Sequence, residues 1–570
     1  MKNPELARIF YEIADILEMQ NIDWKPQAYR KAARAIETLS EDVEAIYRRG
    51  GIKALEEIKG VGEGLGKKII EFIETGKIRE HERVMKTIPK GLDELMNVMG
   101  LGPKKVQFLY SKLKIKSVKA LENAVKKHKL KNLSGFGEKT EENISKSLEL
   151  YKAGGERHLL GLTLPLANEI VSQLKRLKEV NKANYAGSLR RMNETVRDID
   201  ILATSLNPEK VIDAFTRLPQ VQRVIAKGTT RSTVILKSGI QADLRVVDDK
   251  SYGAAMQYFT GSKDHNIKLR QIAIKKGYKL SEYGLFKRSG VWVAGKTEEE
   301  IYKKLGLHYI EPELRENKGE LEAKKLPKLV QLKDIKGEFH FHTKRSTLND
   351  FAAAAQKKGY EYIAITNHSK PGLDCYRMNE EELLQQVNEI KKLNSRFKNF
   401  RILTGTEVDI MEDGSLAFSD DLLKKLDIVV ASVHTELDLS KEKMTKRVLK
   451  AFENPLVDIL GHPTGRKINE RPAYELDFPK IFRAAKENKV CLEVNSQPTR
   501  LDLNDVNIRS AIDSNVKLVI NTDSHSVDQM RFIELGVAQA RRGWAEKKDI
   551  LNTLPLKELP KWFRKVRFRM

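Results

Sequence analysis

Residues 187–200 of the 570-residue chain are GSLRRMNETVRDID, and this stretch decides how the middle of the chain is interpreted. Asp198 and Asp200 lie two positions apart in a predicted strand, so both carboxylates point to the same face of that strand. Gly187 and Ser188 form a predicted turn about ten residues earlier, where backbone N–H groups and a hydroxyl can bind phosphate oxygens. The stretch therefore predicts an anion-binding turn next to a pair of carboxylates.

A third carboxylate is expected to join this pair. Asp243, in the predicted strand QADLRVV, can approach Asp198 and Asp200 from a neighbouring strand. Three carboxylates on one edge repel one another unless cations lie between them, and oxygen ligands of this kind suit Mg²⁺ or Mn²⁺. With the guanidinium of Arg191 nearby, the set indicates a nucleotidyltransferase that binds a triphosphate over metal ions.

Composition limits the class of protein and its partners. A chain of this length is expected to form several domains, and no apolar run approaches the roughly twenty residues of a membrane-spanning helix. Its N-terminus lacks the pattern of a secretory signal, and its two cysteines are too few for a disulfide framework, so we expect a reducing, cytoplasmic location. Net charge is +24, and residues 1–300 carry 55 basic against 39 acidic residues. A polyanionic partner is therefore expected at the first half, although an ordinary solvated basic surface is the alternative.

Residues 1–150 have helical periodicity, interrupted by three Gly-apolar-Gly breaks. Such a turn between two short helices presents backbone N–H groups at the start of the second helix, where a DNA phosphate can bind without any base being read. Glycines also end helices for purely steric reasons, but three such turns in one basic segment favour helix-hairpin-helix phosphate clamps. The glycines concerned are Gly60, Gly62, Gly100, Gly102, Gly135 and Gly137.

From about residue 180 the pattern changes to short β-branched runs such as DIDILATS and TVILKS, with helical patterns at 208–218 and 265–277. Segment 318–336 is charged and poorly periodic, which is typical of a linker. Beyond it, runs such as YIAIT, IVVAS and KLVIN alternate with helical stretches. This alternation predicts a parallel β/α sheet or barrel with functional residues at the carboxyl ends of its strands.

The ordered series GSLRRMNETVRDID, KGTTRSTVIL, QADLRVV and YFTGSKDHNIKLR resembles the palm and thumb of family X DNA polymerases, the group that contains polymerase beta. AYRKAARAIETL and IKGVGEGLGKKIIEFIETGKI look like that family's N-terminal lyase-type domain, and LGLHYIEPELREN looks like the end of its thumb. The resemblance implies a multidomain fold with an all-α helix-hairpin-helix N-terminal region, then an α+β nucleotidyltransferase palm with thumb.

The resemblance also implies roles for individual residues. Asp198, Asp200 and Asp243 would bind Mg²⁺ or Mn²⁺; Gly187, Ser188 and Arg191 would contact the triphosphate; Tyr258, Phe259 and Gly261 would border the sugar; Asn266 would contact the incoming base and Arg270 the template. Core packing is the alternative for the Tyr258–Phe259 pair. Lys68 stands where lyase-active members have a Schiff-base lysine. Trp24, Gly64 and Glu80 replace basic or histidine positions of those members, so a purely DNA-clamping Lys68 is the alternative.

A second set of candidate residues lies at the ends of apolar, strand-like runs in the C-terminal half. Imidazoles and carboxylates at the mouth of a barrel indicate a cluster of Zn²⁺, Mn²⁺ or Fe ions. The set is similar to that of the polymerase and histidinol phosphatase (PHP) domain, a distorted β/α barrel whose relatives bind up to three metals and hydrolyse phosphodiesters. Its members here are His340, His342, His368, Glu407, His434, His462, Asp523 and His525.

This copy departs from the PHP pattern at two places. The family follows its His-x-His with a Ser-Asp-Gly turn whose Asp binds metal, but here Ser346 runs directly into TLND. The usual Asp before the third histidine is Asn367. One metal position is therefore expected to lack a ligand unless Asp350 approaches it, and we expect a compromised nuclease.

These observations predict a family X DNA polymerase that fills short gaps in repair, binds gapped or primed DNA and deoxynucleoside triphosphates, does not bind membranes and acts as a monomer. The barrel would add 3′–5′ exonuclease or abasic-site endonuclease activity. Two alternatives remain, namely a PHP phosphoesterase with a DNA-anchoring front end and a non-catalytic gap-binding scaffold. The expected domains are 1–85 lyase-like, 86–155 fingers-type, 156–250 palm, 251–317 thumb, 318–336 linker and 337–570 PHP.

Overall fold

The protein is described by a computed structural model that covers residues 3–20, 22–37, 42–58, 60–89, 91–96, 98, 101–131, 133, 135–155, 157–369 and 376–562. The chain divides into two compact units. The first consists of Met1–Arg157, Ser205–Ala254 and Lys263–Lys296, and the second of His158–Thr204, Ala255–Ser262 and Thr297–Met570. No helix in these described ranges is long and apolar enough to cross a membrane.

The N-terminal part of the first unit is entirely helical, as its periodicity predicts. In its first helix Leu6, Phe10, Ile13 and Leu17 recur at spacings of three and four and are at most 3% exposed, so one face of the helix enters the core. Ser117 begins the eighth helix by accepting a hydrogen bond from the Ala120 N–H. The helices are α1 (Asn3–Met19), α2 (Lys25–Glu37), α3 (Val43–Glu56), α4 (Glu63–Thr75), α5 (Arg79–Met85), α6 (Leu92–Met96), α7 (Pro103–Leu113), α8 (Val118–Lys126) and α9 (Glu138–Gly155).

The middle of the chain contributes α+β elements to both units. In the second unit β2 pairs antiparallel with β4, and in the first unit β5, β6 and β7 form an antiparallel ladder. The elements are β1 (His158–Leu159), α10 (Leu160–Lys175), β2 (Lys182–Tyr185), α11 (Gly187–Arg190), β3 (Thr195–Val196), β4 (Asp198–Thr204), α12 (Pro208–Thr216), β5 (Val221–Lys227), β6 (Arg231–Leu236), β7 (Gln241–Val247), α13 (Tyr252–Thr260), α14 (Lys263–Lys275), β8 (Tyr278–Ser281), β9 (Gly284–Lys287), β10 (Trp292–Ala294) and α15 (Glu298–Lys304).

The C-terminal part of the second unit alternates strands and helices, which confirms the predicted β/α architecture. Its elements are β11 (Gly337–Phe341), α16 (Leu348–Lys357), β12 (Tyr362–Ile365), β13 (His368–Ser369), β14 (Arg377–Met378), α17 (Glu380–Asn394), β15 (Arg401–Asp409), α18 (Asp420–Leu423), β16 (Ile428–Ser432), α19 (Lys441–Glu453), β17 (Ile459–Leu460), α20 (Phe478–Asn488), β18 (Cys491–Asn495), α21 (Asp505–Asp513), β19 (Leu518–Asn521), α22 (Ile533–Arg542) and α23 (Leu559–Trp562).

The seven main strands of this part form a nearly closed parallel barrel in the order β11-β12-β15-β16-β17-β18-β19. A parallel bridge between Phe341 and Ser524 brings the last strand back to the first. Both faces of the strands are buried, because Tyr362 and Ala364 pack into one apolar cluster while Ile363 packs into another. All parallel strands therefore end at the same rim of the barrel.

Segment 318–336, interpreted from sequence as a linker, is packed against the barrel. Val330 is fully buried in the apolar cluster that also contains Ile363, and its N–H donates to the Ala545 carbonyl over 2.9 Å. Leu329 forms an antiparallel bridge with Glu546. The segment thus contributes to the barrel's core in addition to connecting two parts of the chain.

Candidate active sites

The glycine-serine turn of the second unit lies directly against the Asp-x-Asp strand. Asp198 and Asp200 are partly exposed on one face of β4, whereas Ile199 between them is fully buried, as the two-residue period of a strand requires. Gly187 begins α11 with a φ of +63°, and a Cβ at this position would overlap the Asp200 carboxylate. Only glycine allows this turn and carboxylate to approach so closely.

The arginines that follow the turn are held by carboxylates. Arg190 Nη2 donates to Glu298 Oε2 over 2.6 Å, and Arg191 Nε donates to Glu316 Oε1 over 3.0 Å. Arg191 Nη1 also donates to the Thr260 carbonyl over 2.6 Å. Burial acts to raise the pKa of Glu298, but the neighbouring arginines lower it to about 2. Arg191, predicted to contact a triphosphate, is therefore positioned by acceptors of the second unit.

The aromatic pair predicted to border the sugar lies at the end of α13. Tyr258 and Phe259 are half-buried, and their rings meet edge to face with centroids 5.1 Å apart. Gly261 follows with a φ of +70°, a conformation that glycine adopts without strain. The role of this pair at the sugar stays a prediction.

The remaining predicted palm and thumb residues belong to the first unit. Asp243 on β7 is 8% exposed, and it accepts hydrogen bonds of 2.5 Å each from Thr233 Oγ1 and Gln241 Nε2. Asn266 and Arg270 lie four residues apart on α14, and Arg270 Nε donates to the Asn266 carbonyl over 3.3 Å. The convergence of Asp243 with the Asp198–Asp200 pair stays a prediction.

The apolar residues of the three Gly-apolar-Gly turns make the same backbone hydrogen bond. In each turn the N–H of the apolar residue donates to a carbonyl three residues earlier, over 2.9 Å at Val61, 3.0 Å at Leu101 and 2.9 Å at Phe136. These three side chains are at most 5% exposed. The glycines stand before or at the starts of α4, α7 and α9, where first-turn N–H groups point outward. Gly60, Gly62, Gly102, Gly135 and Gly137 are described, and Gly100 lies outside the described residues.

Lys68 lies on α4 and is engaged with a carboxylate. Its Nζ is 3.0 Å from Glu80 Oε2 and 3.3 Å from the Gly64 carbonyl. Tyr29 donates a hydrogen bond to the same Glu80 oxygen over 2.8 Å. Glu80, one of the departures from the lyase pattern, thus forms an ion pair with the Lys68 amine. Schiff-base chemistry would need that amine neutral.

All eight predicted C-terminal residues converge at the rim of the barrel. Glu407 Oε2 is 3.3 Å from His340 Nε2 and 2.8 Å from His368 Nδ1, and Glu407 Oε1 is 3.0 Å from His462 Nε2. Asp523 Oδ1 is 3.0 Å from His342 Nε2. Three overlapping groups have ligand atoms within 4.8 Å of one another, namely His342, His368 and His525; His340, His342 and Asp523; and His368, Glu407 and His434.

Two carboxylates that the sequence analysis did not predict, Glu493 and Asp409, bind the Nδ1 side of two histidine rings, opposite the side that faces Glu407. His340 Nδ1 is 2.7 Å from Glu493 Oε1, and His434 Nδ1 is 2.6 Å from Asp409 Oδ1. With Nδ1 bonded in this way, the Nε2 atom of each ring is directed toward Glu407. Carboxylate–histidine pairs of this kind fix the tautomer and orientation of metal-binding imidazoles.

The cluster fits divalent metal ions because its potential ligand atoms are buried and face one another without good hydrogen-bond geometry. Several of these nitrogen and oxygen atoms lie 2.8 to 3.4 Å apart, yet none has a partner at hydrogen-bonding angles among the described residues, although each would normally be satisfied inside a protein. Coordination of a cation accounts for this arrangement of imidazoles around carboxylates. The atoms are His340 Nε2, His342 Nδ1 and Nε2, His368 Nδ1, His434 Nε2, His462 Nδ1, Glu407 Oε2 and Asp523 Oδ1.

The electrostatics of the cluster favour charged carboxylates. Burial acts to raise the pKa of Glu407, but the surrounding histidines hold it well below its ordinary value. Burial acts to lower the pKa of His340, but Glu493 and Glu407 outweigh it and raise that pKa well above its ordinary value. Burial lowers the pKa of His342 to about 3. The lowered pKa makes His342 a neutral imidazole, the form that binds a cation, whereas the raised pKa of His340 means that a cation at His340 would displace a proton.

The structure shows the hydrogen bonds of Asn367 and the position of Asp350, the two residues concerned in the departures from the PHP pattern. Asn367 is 1% exposed; its Nδ2 donates to the Thr343 carbonyl over 2.8 Å, and its Oδ1 accepts from the Thr343 N–H over 2.9 Å. Asp350 is exposed in the first turn of α16 and belongs to none of the three groups found in the described part of the chain. Approach of Asp350 to the cluster, the condition under which it would replace the missing ligand, is therefore not seen among the described residues.

Comparison with known proteins identifies the family of the chain. Family models described as helix-hairpin-helix domain, SAM-like helix-hairpin-helix tandem, DNA polymerase beta thumb and PHP domain match residues 1–78, 92–149, 255–316 and 338–497. The DNA polymerase/3′-5′ exonuclease PolX of Bacillus subtilis (strain 168) is 37% identical over 574 residues, covering 99% of this chain and all of the relative. The chain belongs to the family X DNA polymerases.

The C-terminal part of this family X polymerase is also similar to separate proteins. A probable phosphatase of Thermoanaerobacter sp. (strain X514) is 34% identical over 200 residues, covering 33% of this chain and 77% of the relative. A probable phosphatase of Shewanella sediminis (strain HAW-EB3) is 29% identical over 219 residues, covering 37% of this chain and 84% of the relative. The similarity to both phosphatases thus involves only about a third of the family X chain.

Proposed function

We propose that this chain is a DNA-directed DNA polymerase that fills short gaps during DNA repair, and that its barrel removes nucleotides from DNA 3′ ends. The observation that carries the polymerase function is the turn at Gly187, which lies against the carboxylate of Asp200. A phosphate-binding turn in contact with a metal-binding carboxylate is the arrangement that transfer of a nucleotidyl group requires.

In the palm, each residue keeps the role that the resemblance implies. Asp198, Asp200 and Asp243 would hold Mg²⁺ or Mn²⁺, which would supply positive charge for the phosphate group that reacts. The N–H groups and hydroxyl of the GS turn and the guanidinium of Arg191 bind and orient the triphosphate. Tyr258, Phe259 and Gly261 border the sugar, Asn266 contacts the incoming base and Arg270 the template strand.

In the barrel, the proposed ligands are the eight residues of the rim, and the proposed ions are Zn²⁺, Mn²⁺ or Fe. Ions of this kind polarise a phosphodiester and supply a water-derived nucleophile at neutral pH. Glu493 and Asp409 hold the imidazoles of His340 and His434 in the orientation that binding needs. Loss of the Ser-Asp-Gly turn after Ser346 reduces the ligand set but leaves three overlapping groups.

DNA contacts are assigned to the helical part of the first unit. The three Gly-apolar-Gly turns would bind backbone phosphates, and Lys68, paired with Glu80, is proposed to support this surface and not lyase chemistry. The basic excess of residues 1–300 fits a binding affinity that falls with salt. The protein is proposed to act as a cytoplasmic, nucleoid-associated monomer.

A single assay on gapped DNA tests both activities. A labelled primer next to a one-nucleotide gap is incubated with each deoxynucleotide, with Mg²⁺ or Mn²⁺, and its length is followed in both directions. We expect extension by the templated nucleotide and shortening when nucleotides are left out. Shortening without extension would favour the phosphoesterase alternative, and binding to gapped DNA without either activity would favour the scaffold.

The position of Asp350 leads to a prediction about hydrolysis. Because Asp350 is exposed on α16, Asp350→Asn should change the rate of 3′-end shortening by less than about twofold. The rate is measured on a labelled primer without nucleotides, with Mn²⁺ present. A loss of more than about tenfold would mean that Asp350 moves to the cluster after all.

Metal binding at the rim should also stabilise the protein. A ligand at a hundredfold excess over its Kd stabilises the folded state by about 2.7 kcal/mol. For a domain of this size that corresponds to a Tm increase of about 5–10 °C, read by differential scanning fluorimetry with Mn²⁺ against EDTA. Asp243→Asn should keep this increase and Glu407→Gln should lose most of it. Equal increases in both variants would contradict metal binding at the rim.

A further inference from the structure

A side chain of the barrel's last long helix fixes the loop that follows the GS turn. Arg542, at the end of α22, is 8% exposed. Its Nη1 donates to the Arg191 carbonyl over 2.7 Å, to Asn193 Oδ1 over 2.5 Å and to Glu316 Oε1 over 3.1 Å, while its Nη2 donates to Asp505 Oδ2 over 2.8 Å. All of these residues belong to the second unit.

Arg542 therefore contacts Arg191 in two ways. It binds the backbone carbonyl of Arg191 directly, and it shares the Glu316 carboxylate with the side-chain Nε of Arg191. Both the main chain and the guanidinium of Arg191 depend on the same barrel residue. Charge-assisted hydrogen bonds in a buried setting are the strong ones, so this linkage restricts the positions that Arg191 can adopt.

The other end of the loop is held by two more barrel residues. Arg466 forms a bidentate pair with Glu194, with distances of 3.0 and 2.7 Å, and Gln539 Nε2 donates to Glu194 Oε1 over 2.7 Å. Between the two anchored ends, Met192 has a φ of +55°, a conformation that costs a non-glycine residue energy and persists only when its surroundings impose it. Residues 191–194 are thus held by the barrel from both sides.

We propose that Arg542 is a positioning residue of the polymerase reaction, through which the PHP barrel holds Arg191 in the conformation that binds the triphosphate. This inference rests on the polymerase function proposed above. It assigns the barrel a role in nucleotide binding that is separate from its metal cluster. Loss of Arg542 should change the affinity for the deoxynucleotide and not the rate of the chemical step, because Arg542 acts through Arg191 and does not itself touch the nucleotide.

A neighbouring arginine provides a matched control. Arg541 also lies on α22, is 17% exposed and pairs with Glu313 over 2.7 Å, while its Nη1 donates to the Val330 carbonyl over 3.2 Å. None of its recorded contacts with described residues involves loop 191–194. If these two arginines served only to attach α22 to the rest of the second unit, Arg541→Met and Arg542→Met would change the KM for the deoxynucleotide by similar amounts.

The test measures steady-state gap filling by the full chain with Arg542→Met, Arg541→Met and the parent. We expect Arg542→Met to raise the KM for the deoxynucleotide about tenfold with kcat changed less than about threefold, and Arg541→Met to leave both close to the parent values. The rate of 3′-end shortening should stay unchanged in both variants, which shows that the barrel is folded. Arg542→Lys, which keeps the charge but not the fork of donors, should recover part of the affinity.

Each outcome distinguishes this inference from the function it rests on. A parent that does not extend the primer overturns the proposed function and with it the inference. A parent that extends normally, with an unchanged KM in Arg542→Met or with equal increases in both methionine variants, overturns the inference alone. If Arg542→Met does not fold, Arg542→Gln, which removes both the charge and the fork of donors, is measured in its place, and an unchanged KM in that variant is equally decisive against the proposal.

Discussion

Replacement of Asp243 by asparagine is expected to abolish primer extension while 3′-end shortening continues. The substitution keeps the size of the side chain and an oxygen that can accept the hydrogen bond from Thr233 Oγ1, so β7 should remain folded. It removes one negative charge from the proposed metal-binding set. Metal-ion stabilisation of a transition state is worth several kcal/mol, and a loss of about 4 kcal/mol corresponds to about a thousandfold lower kcat.

A nearby aspartate distinguishes this effect from general loss of charge. Asp213, also in the first unit, is 47% exposed and pairs with Lys227 over 2.6 Å. Asp213→Asn should alter extension by less than about twofold, since surface ion pairs contribute little. Extension by Asp243→Asn at more than about a tenth of the parent rate would mean that Asp243 does not bind the catalytic ions.

Replacement of Glu407 by glutamine is expected to stop 3′-end shortening while primer extension continues, which is the opposite of the result expected for Asp243→Asn. Glu407 is 1% exposed and contacts histidines from four different strand ends, so it is the central carboxylate of the rim. A neutral amide there would bind divalent ions poorly, and we expect 3′-end shortening to fall by about a thousandfold. Extension of the same primer should stay within about twofold of the parent.

The matched control for this change is Glu412→Gln, an exposed glutamate shortly after β15. This variant should shorten the primer at the parent rate and bind the same amount of metal, as measured by elemental analysis of the purified protein. Glu407→Gln with normal metal content and normal shortening would exclude the rim as the hydrolytic site.

Local periodicity was sufficient to predict which candidate side chains share a face of a strand or an end of the barrel. The two-residue period of a strand predicts that Asp198 and Asp200 share a face with Ile199 buried between them, and the structure has this arrangement. Parallel strands bring their carboxyl ends to one rim, which explains why histidines distant in sequence converge. The fold class is confirmed for the same reason, since alternation of strands and helices is a local property of the sequence.

The residues that were missed gave weaker signals. Asp409 lies two positions after Glu407 on the same strand, so the alternation that relates Asp198 to Asp200 could have identified it. Glu493 is a charged residue within the apolar run VCLEVN, and a buried charge in a parallel strand indicates a partner. The pairs between Glu194 and Arg466 or Gln539 could not be predicted, because they join residues about 270 to 350 positions apart, and periodicity has no such range.

The bond pattern of Asn367 affects any attempt to rebuild the full ligand set of the barrel. An amide serves both the carbonyl and the N–H of Thr343, whereas a carboxylate at the same place would set a negative oxygen against that carbonyl. Replacement of Asn367 by aspartate would therefore weaken the anchor of the strand end that carries His342, and an enzyme engineered to carry that carboxylate would need a new donor for the Thr343 carbonyl.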